Sequence, residues 1–175
     1  MNKSRQLKLQ TLFKAEHQRL YVSALAVTRQ RSCAEDAVHD ALVAVAEVAT
    51  EPDDLKAYLY RVVRNKALHI IKGRSAMLLS NVNEDVGNSI IEALVEPTSD
   101  SLELHTLAEQ VNKHIQQLDS NVQQVLIMKL YSDFTFEEIA SITDNSPNTV
   151  ASWYRRGLVQ LKEMIHGPQK LARIV

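Results

Sequence analysis

The sequence predicts an all-α protein made of two small helical domains joined by an acidic linker. Three observations carry that prediction. The 175 residues include only four glycines and four prolines, are 45% hydrophobic and 5% aromatic, and so suit helices better than sheets or disorder. Apolar residues recur at helical spacing in two separate blocks. Charge divides the chain in the same places: residues 1–74 hold 13 Lys and Arg against 8 acids, residues 75–110 hold 7 acids and no Lys or Arg, and residues 111–175 hold 7 bases and 6 acids. A formal net charge of −1 therefore leaves nucleic acid open as a partner, because local potential governs binding.

The expected boundaries are 1–73 for the first domain, 74–104 for the linker, 105–166 for the second domain and 167–175 for a C-terminal tail. In the first block, a helix is expected from Arg5 to Val27, with Leu9, Leu12, Phe13, Leu20, Ala24 and Val27 on one face. Ser32 with Glu35 three residues on has the pattern of a capping box opening the second helix. Ala34, Ala37, Val38, Ala41, Leu42, Val45 and Val48 give that helix an apolar stripe. Glu51-Pro52-Asp53-Asp54 suits the start of a third helix, with proline in its first turn, and Gly73 suits its end. Arg61, Arg64, Lys66 and Lys72 make the later half of this helix basic, with His69 among them. The linker carries one short apolar run, Ser89–Val95.

The second block predicts helices over 104–118, 121–131, 136–142 and 147–165. Thr135 and Glu138 form another capping-box pattern, and Ser146-Pro147 marks the start of the last helix. Thr143-Asp144-Asn145 supplies a tight turn between two short helices. Ile139, Ala140, Ile142, Val150, Trp153 and Leu158 supply the apolar positions that hold them at a steep angle, as in a helix-turn-helix.

Enzyme chemistry finds little support. There is no glycine loop for phosphates, no histidine pair at ligand spacing on one helix and no nucleophile elbow. Cys33 and His39 stand six residues apart at mismatched angles, and Cys33 reads as a surface or half-buried first-turn residue. No catalytic residue, metal site or cofactor is expected. A single cysteine, no export signal and no run of 18 apolar residues point to the cytoplasm, with no membrane insertion. Duplex DNA is a better match. In a helix-turn-helix the N-terminal part of the second helix enters the major groove, and Asn148, Thr149, Ala151, Ser152 and Arg155 occupy those turns. Asn and Arg can make bidentate contacts with base edges, and Arg156 suits a phosphate.

Two sets of residues resemble a known family. Leu118-Asp119-Ser120, Val122 to Leu126, Phe134-Thr135-Phe136-Glu137-Glu138-Ile139-Ala140, Asn148-Thr149-Val150-Ala151-Ser152 and Arg155-Arg156-Gly157-Leu158 resemble region 4 of the extracytoplasmic-function (ECF) subfamily of bacterial sigma-70 factors. Leu20-Tyr21, Ala34-Glu35-Asp36-Ala37-Val38 and Ala57-Tyr58-Leu59-Tyr60-Arg61-Val62-Val63-Arg64-Asn65-Lys66-Ala67-Leu68 resemble region 2. The resemblance implies a non-enzymatic promoter-specificity subunit that directs bacterial core RNA polymerase to a subset of promoters and assists initiation. It implies that Glu35, Asp36, Val38, His39, Asp40 and Leu42 dock on the polymerase clamp helices. Arg61, Arg64, Asn65, Lys66, His69 and Lys72 would bind the minus-10 element and its opened non-template strand. Asn148, Thr149, Ala151, Ser152, Arg155 and Arg156 would read the double-stranded minus-35 element, and an anti-sigma protein would be a further partner. The sequence departs from the family pattern at His69 and Lys72, where Asp and Arg are usual. It departs again at His39, Leu42 and Val45, which bring no aromatic, and at Gln123-Gln124, where Arg is usual. The alternative is a sigma-derived regulator that binds promoters without opening them. A third reading is a polymerase-docking or antagonist-binding protein with little DNA activity.

Overall fold

The structure, a computed structural model, describes residues 3–77, 114–115 and 117–166. Those residues form helices α1 (Lys3–Thr28), α2 (Arg31–Glu47), α3 (Leu55–Met77), α4 (Ser120–Leu130), α5 (Phe136–Thr143) and α6 (Pro147–His166). No described helix is long and apolar enough to cross a membrane.

Helices α1, α2 and α3 pack on one another around Leu20, Ala24, Ala34, Ala37, Ala41, Val45, Leu59, Val63 and Ala67, all buried. The alanines on α2 bring only methyl groups to the contact, which suits close packing of the three helices. Arg5 ties the ends of the block together. Its guanidinium is buried and donates to the carbonyls of Val45, at 2.9 Å, and Val48, which α2 leaves unpaired at its C-terminus.

Several helix ends differ from expectation. Helix α2 begins at Arg31, with Gln30 extended at the N-cap and no side-chain cap, because the left-handed Arg29 reverses the chain one residue early. Ser32 thus lies inside the first turn, and the expected capping box is not formed. Helix α3 starts at Leu55, not at Pro52. Asp54 caps it, accepting from the amide of Ala57 at 2.9 Å, and Glu51 pairs with Lys8 at 2.8 Å. Gly73 does not end α3. A glycine costs a helix about 1 kcal/mol, which breaks it only where nothing holds the next turn. Here Arg74 reaches back to Gln30 and to Cys33 Sγ, the latter at 2.8 Å. Cys33 itself is buried rather than half-buried, under this end of α3.

In the second block the helix ends agree more closely. Asp119 caps α4 through the amide of Asn121 at 3.0 Å. Thr135 and Glu138 complete the expected capping box of α5 in both directions. Ser146 accepts from the amide of Thr149 at 3.1 Å, as its place before Pro147 requires. Between α5 and α6, Asp144 takes left-handed geometry and Asn145 donates to the carbonyl of Thr143 at 2.7 Å, closing the turn. Ile139, Ala140, Ile142 and Val150 are buried as expected, but Leu158 is 40% exposed. Gly157 takes the inward position instead, because a Cβ there would stand 2.7 Å from Val122 Cγ1 and 2.8 Å from Leu126 Cδ1. Of the expected helix over 104–118, residues 114–115 and 117 are described and helical. The Ser89–Val95 run and the 167–175 tail lie outside the described residues, as does the linker beyond Met77; its first residues, 74–77, continue α3.

The all-α architecture with two helical blocks stands, but the blocks do not keep separate cores. Ile127, Met128 and Phe134 join one hydrophobic cluster with Leu20, Leu25, Leu59 and Tyr60. A smaller cluster of Leu118, Val122 and Leu126 closes against α6 through Trp153, Tyr154, Leu161 and Met164.

Candidate nucleic-acid and polymerase interfaces

Helix α6 projects a polar, basic face from its N-terminal half. Val150 turns inward with no exposure, and Tyr154 packs edge-on against Phe136 with ring centroids 5.4 Å apart. These anchors leave Asn148, Ser152, Arg155 and Arg156 exposed, with Thr149 and Ala151 half-buried beside them. Spacings of four and three residues place Asn148, Ser152 and Arg155 on one side of the helix. Thr149 is partly committed to the cap, its hydroxyl 2.8 Å from that of Ser146. The result is a rigid helix end with amide, hydroxyl and guanidinium groups facing solvent, which suits a major groove.

Helix α3 carries the second basic face. Arg61, Asn65, His69 and Lys72 are exposed and fall on one side at steps of four, four and three residues, while Arg64 and Lys66 are half-buried. Asn65, Lys66 and His69 line a groove of ≈ 420 Å³ together with Val62, Ile70 and Asp40 of α2. The groove adjoins the residues expected to dock on polymerase. Glu35, Asp36, His39 and Asp40 stand exposed along α2, with His39 Nδ1 3.8 Å from Asp40 Oδ1. Leu42 is half-buried against the core. Val38 is 5% exposed and packs in the core beneath these exposed side chains, as its place in the apolar stripe of α2 requires.

Sequence reasoning missed a polar seam where the blocks meet. Glu16, on α1, is 7% exposed, and its carboxylate accepts from the Tyr60 hydroxyl at 2.8 Å and pairs with Lys56 at 3.1 Å. Lys56 also donates to the carbonyl of Ser132 and lies 4.9 Å from the centre of the Phe134 ring. Tyr60 packs edge-on against Phe134 at 4.7 Å, and its burial pushes the phenol well above its ordinary value. Arg19 reaches Asp133 at 3.4 Å. Farther along α3, Arg61 donates to the Ser141 hydroxyl at 2.5 Å and Arg64 to the Gln124 side-chain carbonyl at 2.9 Å. Burial lowers the pKa of Arg64, and the negative charge of Asp144 opposes that shift. One signal was present in the sequence. Leu12, Glu16 and Leu20 are spaced four apart, so an acid sat within an apolar stripe and needed a partner.

Among the described residues no group of three or more His, Cys, Asp or Glu could hold a metal ion.

Comparisons with known proteins agree with this layout. Residues 12–76 match the family model for Sigma-70 region 2, and residues 108–161 match that for Sigma-70, region 4. No curated protein matches the chain by sequence. Among solved structures, the chain is similar to the sigma factor RpoE from Bartonella quintana in its complex with the anti-sigma factor NepR. The TM-score is 0.69 at 20% identity, over 96% of this chain and 100% of that one. That likeness concerns the fold; the two region matches, in order and together spanning most of the sequence, concern the family. The chain belongs to the sigma-70 family, the non-enzymatic subunits that direct RNA polymerase to promoters.

Proposed function

We propose that this protein recruits bacterial core RNA polymerase to a subset of promoters by contacting two promoter elements and the polymerase at once. Asn148, Ser152 and Arg155 read base edges of the minus-35 element, with Arg156, Thr149 and Ala151 completing the contact. The face of α3 formed by Arg61, Arg64, Asn65, Lys66, His69 and Lys72 binds the minus-10 element and holds its opened non-template strand. Glu35, Asp36, His39 and Asp40, with Val38 and Leu42 beneath them, dock on the clamp helices. The protein acts in the cytoplasm, where core polymerase works.

The observation that carries this reading is the rigid, solvent-facing end of α6 beside a separate basic face on α3. One module reads duplex and the other meets a single strand, and tethering makes two weak contacts into one strong one. Strand opening needs no nucleotide hydrolysis if the captured bases and backbone contacts offset the unstacking cost. An anti-sigma protein is a fitting antagonist, since the structurally similar RpoE is bound to one.

The test is transcription by bacterial core polymerase from fragmented genomic DNA of the source organism, with and without the purified protein. New transcripts with defined starts establish initiation and reveal both elements. Footprints on promoters without new transcripts would support a regulator that binds but does not open, and His69 and Lys72 would be examined first.

A further inference from the structure

The polar face of α6 carries two side chains that can each recognise a base by a pair of hydrogen bonds. Asn148 and Arg155 are exposed and stand seven residues apart, so they fall almost in line along one face of the helix. Between them, the Thr149 hydroxyl is drawn off by that of Ser146 at 2.8 Å, and Ala151 offers only a methyl group. Asn148 has no partner among the described residues, so its amide keeps an acceptor and a donor side by side. Arg155 is held differently. Its Nε lies 3.4 Å from the carbonyl of Ala151, one turn back. That contact draws the guanidinium toward the N-terminus of α6 and leaves Nη1 and Nη2 as an outward pair of donors.

Each pattern matches a different base in a major groove. A guanidinium only donates, and guanine alone presents two neighbouring acceptors there, O6 and N7. A side-chain amide offers one acceptor and one donor, the complement of N6 and N7 of adenine. Seven residues rise about 10 Å along a helix, against about 3.4 Å for a base step along the duplex axis. The groove follows a slanting path that lengthens each step, and the backward lean of Arg155 shortens the gap to Asn148. We propose that α6 reads two purines of the minus-35 element, an adenine through Asn148 and a guanine through Arg155, about two to three base pairs apart. The inference deepens the assignment of α6 to that duplex and rests on it. Ser152, whose exposed hydroxyl both donates and accepts, tolerates more than one base between them. Arg156 lies about 100° further round the helix than Arg155 and takes a phosphate.

The experiment selects duplexes from a random library with the full chain assembled on bacterial core polymerase, and repeats the selection with Asn148→Arg and with Arg155→Gln. Both positions are exposed, and circular dichroism checks that the helices persist in the variants. The parent is expected to enrich an upstream element holding an adenine and a guanine about two to three pairs apart, each preferred about tenfold or more over other bases. Gln pairs with adenine as Asn does, so Arg155→Gln is expected to convert the guanine to adenine and leave the other position as it was. Asn148→Arg is expected to convert the adenine to guanine and spare the position under Arg155. A change of preferred base at one position is a result that loss of folding or of general affinity does not produce. If both variants bind the parent's element more weakly with no change of preferred base, both side chains meet the backbone; the base assignments are overturned while α6 remains the duplex-bound helix. An element unaffected by either substitution would overturn the base assignments as well. If the parent enriches no upstream element, the minus-35 reading itself fails and takes the base assignments with it.

Discussion

Arg155 and Gly157 stand two residues apart on α6 and do opposite things. Arg155 is exposed, with its Nε 3.4 Å from the carbonyl of Ala151, which aims the guanidinium along the helix rather than into the core. Arg155→Ala should leave folding intact and weaken duplex binding by about 1–3 kcal/mol at one minus-35 position if the contact is bidentate. Equal binding of parent and variant to a mapped promoter, measured by anisotropy, would remove Arg155 from the reading face. Gly157 is buried where α6 meets α4. Alanine there improves helix propensity by about 1 kcal/mol, yet its Cβ enters the space of Val122 and Leu126, and overpacking costs typically about 1–3 kcal/mol. The clash is with the branched carbons of both neighbours, so Gly157→Ala should lower the urea midpoint; a raised midpoint would mean that α4 yields easily.

At the scale of elements, α5 has only eight residues and depends on its ends. Its capping box satisfies the amide of Glu138 through the Thr135 hydroxyl and the amide of Thr135 through the Glu138 carboxylate, at 3.2 and 2.7 Å. Thr135→Ala should cost about 1 kcal/mol of stability, read by chemical denaturation. The hydrogen bonds from Thr135 hold the Glu138 carboxyl below its ordinary value of 4.5. A depressed pKa gives stability that is present above the unfolded value and lost as pH falls through the folded one. Stability should therefore decline below about pH 4.5 partly through Glu138, and Glu138→Gln should flatten that limb of the profile. An identical acid limb in the variant would show that other carboxylates dominate it. The capping pair at Thr135 was legible because both partners lie within four residues. The expected pair at Ser32 was not formed, although its spacing is the same, because Arg29 turned the chain first. A local motif competes with the geometry that delivers the chain to it.

At the scale of the molecule, the seam between the blocks makes one structure of two modules. Phe134 is 2% exposed, touches Tyr60 edge-on and sits under Lys56, although it belongs to the second block and they belong to the first. Phe134→Ala should cost about 3–5 kcal/mol and loosen both blocks together, so tryptophan fluorescence from Trp153 and far-ultraviolet dichroism should shift to a common lower midpoint. If only the fluorescence midpoint moved, the blocks would be unfolding independently.

The sequence by itself determined the six described helices, the cap and turn that shape α5 and α6, the polar face of α6 and the family. All of these depend on residues a few positions apart, where helical periodicity and capping chemistry act directly. The tertiary structure decided what no short window contains: that Gly157 rather than Leu158 meets α4, and that Glu16 is matched by Tyr60 and Lys56. It also decided that Arg61 and Arg64, marked by their position on a basic helix, are held by Ser141 and Gln124, 80 and 60 residues away. Burial and partnership across such distances follow from how the helices pack, and the pattern along one helix does not state which surface will cover it.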